Sequence, residues 1–298
     1  MSASAEQRTV LVTGATGDTG RAATREAIAL GLTVRALVHR RDERAAALEV
    51  LGARVVIGDL LDIDTIVAAL EGVDAAYLVW PVQPGLIHAT VNVAQAAKEA
   101  GVSHIVNLSQ RSADRYSKSH SCRDHFIAEQ VLDWSGLAVT HLRPTLFLEW
   151  LLYPWQLPSF VDQGILRMPA GQARHAPIGA EDQGRVIAAL LKNPEGHEGR
   201  TYPLFGLREM DHAEMAAELS EALGRRVVYQ DVSIPDYAAS LETMGVPAYI
   251  IQHLEGAMVA YQQGVMSGMN DTVERMTGRK PMSVGAFARL HADVFNPS

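Results

Sequence analysis

The stretch Val10-Leu11-Val12-Thr13-Gly14-Ala15-Thr16-Gly17-Asp18-Thr19-Gly20 decides the fold. An apolar run enters a turn with three glycines spaced three apart, and a helical pattern, Arg21 to Leu30, leaves it. Strand, glycine turn and helix in that order are the context of a loop that binds dinucleotide phosphates. Glycine permits positive φ and lets a pyrophosphate approach the backbone without a Cβ in the way. The helix that follows offers unpaired N–H groups and the positive end of its dipole. The glycine spacing alone fits a plain structural turn equally well. The strand before it and the helix after it favour the phosphate reading, with Gly14, Thr16, Gly17, Asp18, Thr19 and Gly20 as its candidate residues.

Outward from this loop the chain alternates. Strands are predicted at Thr9–Thr13, Thr33–Val38, Arg54–Ile57, Val73–Val79, Ser103–Leu108 and Val139–Leu142, with helices at 42–51, 62–70, 85–100 and 121–135 between them. Such alternation implies βαβ units and an α/β fold: a doubly wound, Rossmann-like parallel sheet with helices on both faces. We read residues 1–150 as the dinucleotide-binding domain. Residues 151–298 read as a smaller C-terminal α/β lobe, interleaved with the sheet and not independently folding. In that lobe a helix is expected at 180–191, a strand at 201–205, a helix up to Leu223 opened by the capping-box spacing Asp211 to Glu214, and a strand at 227–232. A helical lid over the cofactor sheet is expected at 234–264, broken at Gly245-Val246-Pro247. Its methionines, Met244 and Met258, with Met266 and Met269 just beyond, can adapt to varied ligands or simply fill gaps.

Ligands of such sheets bind beyond the carboxyl ends of the strands. After the second strand stand His39-Arg40-Arg41, where an acid would suit the ribose hydroxyls of NAD and a base the 2′-phosphate of NADP. Arg40 can pair with that phosphate and stack on adenine, and a solvated charge cluster is the plainer alternative. Asp18 would bring a carboxylate close to the pyrophosphate, so it is expected to point away and cap the following helix. Asp59-Leu60 is placed for the adenine edge, although Asp59 or Asp62 can equally be a helix cap. Trp80 either nears the ribose and nicotinamide or is a core aromatic. Ser109-Gln110-Arg111-Ser112 follows the fifth strand as the expected floor of the active site. Phe147, Trp150, Tyr153, Trp155 and Phe160 are either core or an apolar substrate wall at its mouth.

Composition narrows the classes. The chain has 298 residues, 48% hydrophobic and 20% charged, which is ordinary for a globular enzyme. A net charge of −8 disfavours a nucleic-acid surface. The single cysteine, Cys122, excludes an intramolecular disulfide framework and fits a reducing, cytoplasmic setting. No run is long and apolar enough for a membrane span, and Met1–Arg8 lacks a signal-peptide core.

Several segments together resemble the NmrA-like branch of the atypical short-chain dehydrogenases. They are GATGDTG at 14–20, VRALVHRR at 34–41, GDL at 58–60, VNLSQ at 106–110, DWSGL at 133–137, HLRPTLFLEW at 141–150, TYPLFG at 201–206 and the C-terminal GRKPMSVGAFARLHADVF at 278–295, which looks like that family's C-terminal helix. The resemblance implies NADP(H) binding and one of two roles. One is a reductase passing hydride to a small or medium apolar carbonyl, quinone or imine. The other is a non-catalytic NADP(H) sensor that regulates a partner protein. A homodimer is compatible with either. The usual tyrosine and, four residues on, lysine pair is missing: Tyr116 is followed by His120, Tyr77 by Pro81 and Tyr153 by Leu157. In resembling members a lysine or histidine lies four residues before a glutamate in the helix after the fifth strand, and His125 and Glu129 match. One turn apart, they share a helix face, so the carboxylate is expected to orient the imidazole against the nicotinamide ribose; a surface ion pair is the alternative. His120, Ser121 and Ser109 are further catalytic candidates, Ser109 and Gln110 also cofactor-binding ones. No metal is called for.

Overall fold

The computed structural model describes residues 8–296. The first half runs β1 (Thr9–Val12), α1 (Asp18–Ala29), β2 (Thr33–Val38), α2 (Glu43–Val50), β3 (Arg54–Ile57), α3 (Ile63–Leu70), β4 (Ala75–Leu78), α4 (Leu86–Ala100), β5 (His104–Leu108), α5 (His120–Trp134) and β6 (Val139–Pro144). A 3-10 turn (Leu148–Leu152), α6 (Leu157–Gln163), β7 (Ile165–Met168), α7 (Ala180–Lys192) and β8 (Arg200–Leu204) follow. The chain continues through α8 (His212–Leu223), β9 (Val228–Asp231), α9 (Ile234–Thr243), α10 (Ala248–Gln262), α11 (Thr272–Thr277), α12 (Val284–Leu290) and α13 (Ala292–Phe295).

Seven strands form one parallel sheet in the order β3-β2-β1-β4-β5-β6-β8. Strand periodicity sends alternate side chains to opposite faces. Val10 and Val12 join Ala23 and Ala27 of α1 and Val186, Ile187 and Leu190 of α7 on one face. Leu11 joins Ile66 of α3, Leu86 and Val93 of α4 and Leu132 of α5 on the other. Gly184 lets α7 lie against α1, since a Cβ there would come within 2.5 Å of the Ala22 Cβ. Strand order reverses between β1 and β4, which opens the crevice where ligands of doubly wound sheets bind.

The second half crosses between two layers. α7 and β8 return to the main sheet, whereas β7 pairs with β9 in a separate two-stranded parallel sheet. A second core gathers Leu148, Trp150, Phe160, Leu166, Met215, Leu219, Tyr261 and Phe287 around that sheet. Asp211 and Glu214 form the expected capping box at α8. The C-terminal stretch is two short helices, α12 and α13, rather than one, because the backbone leaves helical geometry at His291. The helical pair α9–α10 reaches the sheet through α10, which packs on the start of α5, where a Cβ at Gly256 would meet the Ser119 backbone N at 2.2 Å. The aromatic cluster also divides: Phe147 packs with the sheet core, Trp150, Tyr153 and Phe160 with the lobe core, and Trp155 with Tyr237, Leu241 and Ile251 of the α9–α10 pair. It forms no single wall. Among the methionines, Met258 and Met266 are core, whereas Met244 and Met269 are exposed.

Candidate active site at the carboxyl edge of the sheet

The glycine loop sits at the β1–β4 crevice. Gly14 has φ +55°, where an L side chain is strained, and a Cβ there would reach 2.6 Å from Val79 Cγ1. A Cβ on Gly20 would sit 2.2 Å from the Gly14 carbonyl oxygen, so this glycine permits α1 to start directly behind the turn. Gly17 is the N-cap of α1 with φ −82° and ψ 174°, a backbone open to any residue, and a Cβ there would lie 3.3 Å from Gly14 O. Gly14, Gly17 and Asp18 face solvent, and Thr16 is half-buried, whereas Thr19 and Gly20 are turned inward. The Thr19 hydroxyl and the Tyr77 hydroxyl of β4 hydrogen-bond at 2.9 Å, and Thr13 Oγ1 accepts the Val79 N–H at 3.0 Å. These ties fix the first turn of α1 across the switch point. Asp18 does not cap the helix: Gly17 occupies the cap, and the half-exposed Asp18 carboxylate lies 4.0 Å from Arg21. As the first helical residue it still complements the dipole.

Beyond β2, His39 and Arg40 are exposed, and the Arg40 guanidinium stands 3.7 Å from Asp42. Asp42 caps α2 by accepting from the Arg44 and Ala45 N–H groups, and Arg44 together with those bonds holds its carboxyl below the ordinary value. Asp62, not Asp59, caps α3. Asp59 accepts the Leu61 N–H at 2.8 Å in the turn beyond β3, with the Leu60 side chain buried beneath it. Trp80 is in the core: its ring packs with Leu86 and neighbours, and its indole N–H donates to Gln83 O at 3.1 Å. Its backbone alone remains at the end of β4.

The second cluster lies beyond β5 and β6. Ser109 is buried and Gln110 half-buried, and Ser109 Oγ and Gln110 Nε2 are buried without partners. His125 is buried on α5, and burial, then the nearby His253, lower its pKa to about 4, with Glu129 opposing. Glu129 does not orient His125. It is held bidentately by Arg143 of β6, whose Nε donates to Oε1 at 2.9 Å and whose second nitrogen meets Oε2. Nor is this pair a surface one, because Glu129 is 3% exposed. In place of the carboxylate the fold brings a second imidazole: His253 of α10, whose Nδ1 is 2.9 Å from Ser119 Oγ. Ser119 Oγ also accepts the Cys122 N–H as the α5 cap. Burial lowers His253 to about 4 as well. His120 is exposed at the rim, 6.5 Å from the Tyr249 ring, and Ser121 is buried.

Beside the glycine loop stands Glu149, in the 3-10 turn after β6 and 7% exposed. Its Oε1 accepts the Ala180 N–H at 2.9 Å and its Oε2 has no partner. Burial, with the charges of Asp18 and Glu181, raises it to about 7, so near neutral pH it is a partly protonated acid beside the glycine loop. Tyr153, raised to about 12 by burial and then by the charges of Asp18 and Glu149, adjoins it. Sequence reasoning passed over Glu149, Arg143 and His253. Arg143 and Glu149 were visible within HLRPTLFLEW, directly after a strand. Nothing local marks His253, whose relevance comes only from the packing of α10 on α5.

The chain belongs to the NmrA-like family, whose model matches residues 6–284. It is 32% identical to the NAD(P)H azoreductase of Xenophilus azovorans over 96% of this chain and 99% of that one. It is 30% identical to quinone oxidoreductase 2 of Escherichia coli over 90% and 93%. The NADPH-dependent quinone oxidoreductase of Escherichia coli, solved as its NADPH complex, superposes with a TM-score of 0.83 at 28% identity, covering 95% of this chain and 99% of that one.

Proposed function

We propose that this protein is an NADP(H)-dependent oxidoreductase that reduces a small or medium apolar carbonyl, quinone or imine. The observation that carries this is the glycine cradle at the β1–β4 switch point, open at Gly14 and Gly17 and closed at Gly20. The residues fit the cofactor. Gly14, Thr16, Gly17 and the first turn of α1 would hold the pyrophosphate, and the exposed Arg40, with His39, would favour the 2′-phosphate of NADP(H). Asp59 and Leu60 would border adenine, and Ser109, Gln110 and His125 the reacting end. The names of the relatives, an azoreductase and a quinone oxidoreductase, support the same class. Bound NADPH would supply the hydride.

The protein's part is orientation and proton placement. With a pKa near 4, His125 is neutral at pH 7 and acts by donating a hydrogen bond through its ring N–H, not as an imidazolium. A neutral donor in a buried site still stabilises charge developing on an acceptor oxygen or nitrogen. The second reading, an NADP(H) sensor, is favoured by one observation: Tyr116, the tyrosine nearest this helix in sequence, is 78% exposed. Steady-state NADPH oxidation with quinones, aldehydes and imines separates the two. A reductase consumes NADPH only with substrate present. A sensor consumes none, yet binds oxidised and reduced cofactor with different affinity.

A further inference from the structure

The loop beyond β5 carries three buried side-chain atoms with nothing to bond. Ser109 Oγ, Gln110 Nε2 and Arg111 Nε, on consecutive residues, all lack hydrogen-bond partners among the described residues. Buried polar groups are usually paired, by protein or by a bound group. All three atoms can donate; none is a carbonyl or carboxylate.

The two arginines at this edge are in opposite states. Arg143 is neutralised by Glu129. Arg111 forms no side-chain hydrogen bond and no ion pair among the described residues; its guanidinium lies 5.7 Å from the centre of the Phe205 ring. An aromatic face holds a guanidinium in place without cancelling its charge. Burial and the neighbouring Arg143 both lower the Arg111 pKa, as expected for a cation that has lost water and gained no anion. The nearest acid in sequence, Asp114, is exposed, and its Oδ1 accepts the Tyr116 N–H. The seat is also separate from the glycine cradle. β4 lies between β1 and β5, and strands are about 4.8 Å apart, which places the two loops roughly 10 Å apart across the sheet. These donors therefore lie beyond the phosphates held at Gly14–Gly20, at the reacting end where cofactor and substrate meet.

We infer that Ser109, Gln110 and Arg111 form a seat for an oxyanion on the substrate, so that the otherwise apolar skeleton that is reduced carries one carboxylate, sulfonate or phosphate beside its reducible group. The inference rests on the reductase reading above for its chemistry, but not for its binding. A guanidinium with flanking donors matches the oxygens of such a group, and the Phe205 ring beneath it gives an apolar floor for the attached skeleton.

The test compares anthraquinone-2-sulfonate with the neutral 2-(hydroxymethyl)anthraquinone in NADPH oxidation, for the wild type, Arg111→Gln and Arg111→Lys. The readout is the ratio of the two kcat/KM values, so a general loss from a disturbed loop cancels. One charge-assisted contact corresponds to about a tenfold preference or more. The wild type is expected to favour the sulfonate, Arg111→Gln to lose at least about tenfold in the ratio, and Arg111→Lys to regain part of it. The same ratio in wild type and Arg111→Gln overturns the seat. If neither quinone is turned over, the reductase reading is decided by the aldehydes and imines, and calorimetry of anthraquinone-2-sulfonate with the NADP-saturated protein decides the seat separately. There a tenfold weaker Kd in Arg111→Gln supports it, and equal Kd values overturn it.

Discussion

The two ends of the candidate site are built from different materials. The β1–β4 end is backbone: its shape comes from the absence of side chains at Gly14, Gly17 and Gly20, and its donors are amides at the start of α1. The β5–β6 end is side chains drawn from four elements, with Ser109 and Arg111 after β5, His125 and Glu129 on α5, Arg143 on β6 and His253 on α10. A backbone cradle is complete within seven residues and recognises a phosphate of fixed shape. A side-chain site can change its substrate by one substitution without disturbing the cofactor. The contrast also runs through the charges. Near the cradle the buried titratable group is an acid, Glu149, pushed up. At the other end the buried groups are His125 and His253, pushed down.

The cradle should break hardest. Gly17→Val leaves a backbone that valine accepts, with the new Cβ 3.3 Å from Gly14 O, but sets a branched side chain in the phosphate path. NADPH binding is expected to vanish in fluorescence titration while circular dichroism stays native. Retained affinity in the folded variant would place the phosphates elsewhere. Next comes the side-chain end. His125→Ala should lower turnover by ~10²–10⁴-fold with only a small change in NADPH affinity. Because His125 is neutral above its pKa near 4, the loss should be the same at pH 6 and pH 8. A loss confined to the acid side would mean that an imidazolium is the working form.

Stability against pH should separate the two ends by sign. His125 and His253 favour their neutral form when folded, so the stability they contribute is present above the unfolded value of about 6.5 and falls as the pH drops towards 4. Each can contribute on the order of 3 kcal/mol to that fall. Urea denaturation of His253→Gln should show a flatter acid limb than wild type; an unchanged limb would assign the acid sensitivity to other groups. Glu149 also favours its neutral form, but as an acid. Its contribution is greatest below about 4.5 and is lost as the pH rises through 7. Glu149→Gln should therefore melt higher relative to wild type at pH 8 than at pH 5, and the reverse order would refute the raised pKa. The smallest effect is expected at the exposed Arg40, where Arg40→Ala should weaken NADPH by about 1.5 kcal/mol and NADH by much less. Equal losses in calorimetry would remove Arg40 from cofactor choice.

The legible parts of this protein are those whose cause is local. The period-2 and 3.6 patterns gave the six strands and five helices of the first half within a few residues, since each pattern is the element's own burial. The cap at Asp211 was legible for the same reason. The misreadings were those of side-chain direction. Asp18 was expected to cap α1, but it is the first helical residue, and the cap position falls to Gly17, which makes no side-chain bond there. Glu129 was expected to serve His125, but Arg143, fourteen residues on in β6, offers a bidentate partner and wins. Trp80 allowed two readings until packing with α4 put its ring in the core. β7 went unrecognised because its four residues alternate weakly and pair only with β9, far along the chain.

The sequence by itself determined the glycine turn between β1 and α1, the doubly wound order of elements and the family, because a backbone shape written in glycines needs no distant partner. Only the tertiary structure decided which charges are cancelled and which are left over. That depends on distance: Arg143 in β6 meets Glu129, whereas Arg111 after the neighbouring β5 meets no carboxylate among the described residues. It also depends on the docking of α10 against α5, which sets His253 beside His125 and removes both from water, and so favours the neutral form of both imidazoles.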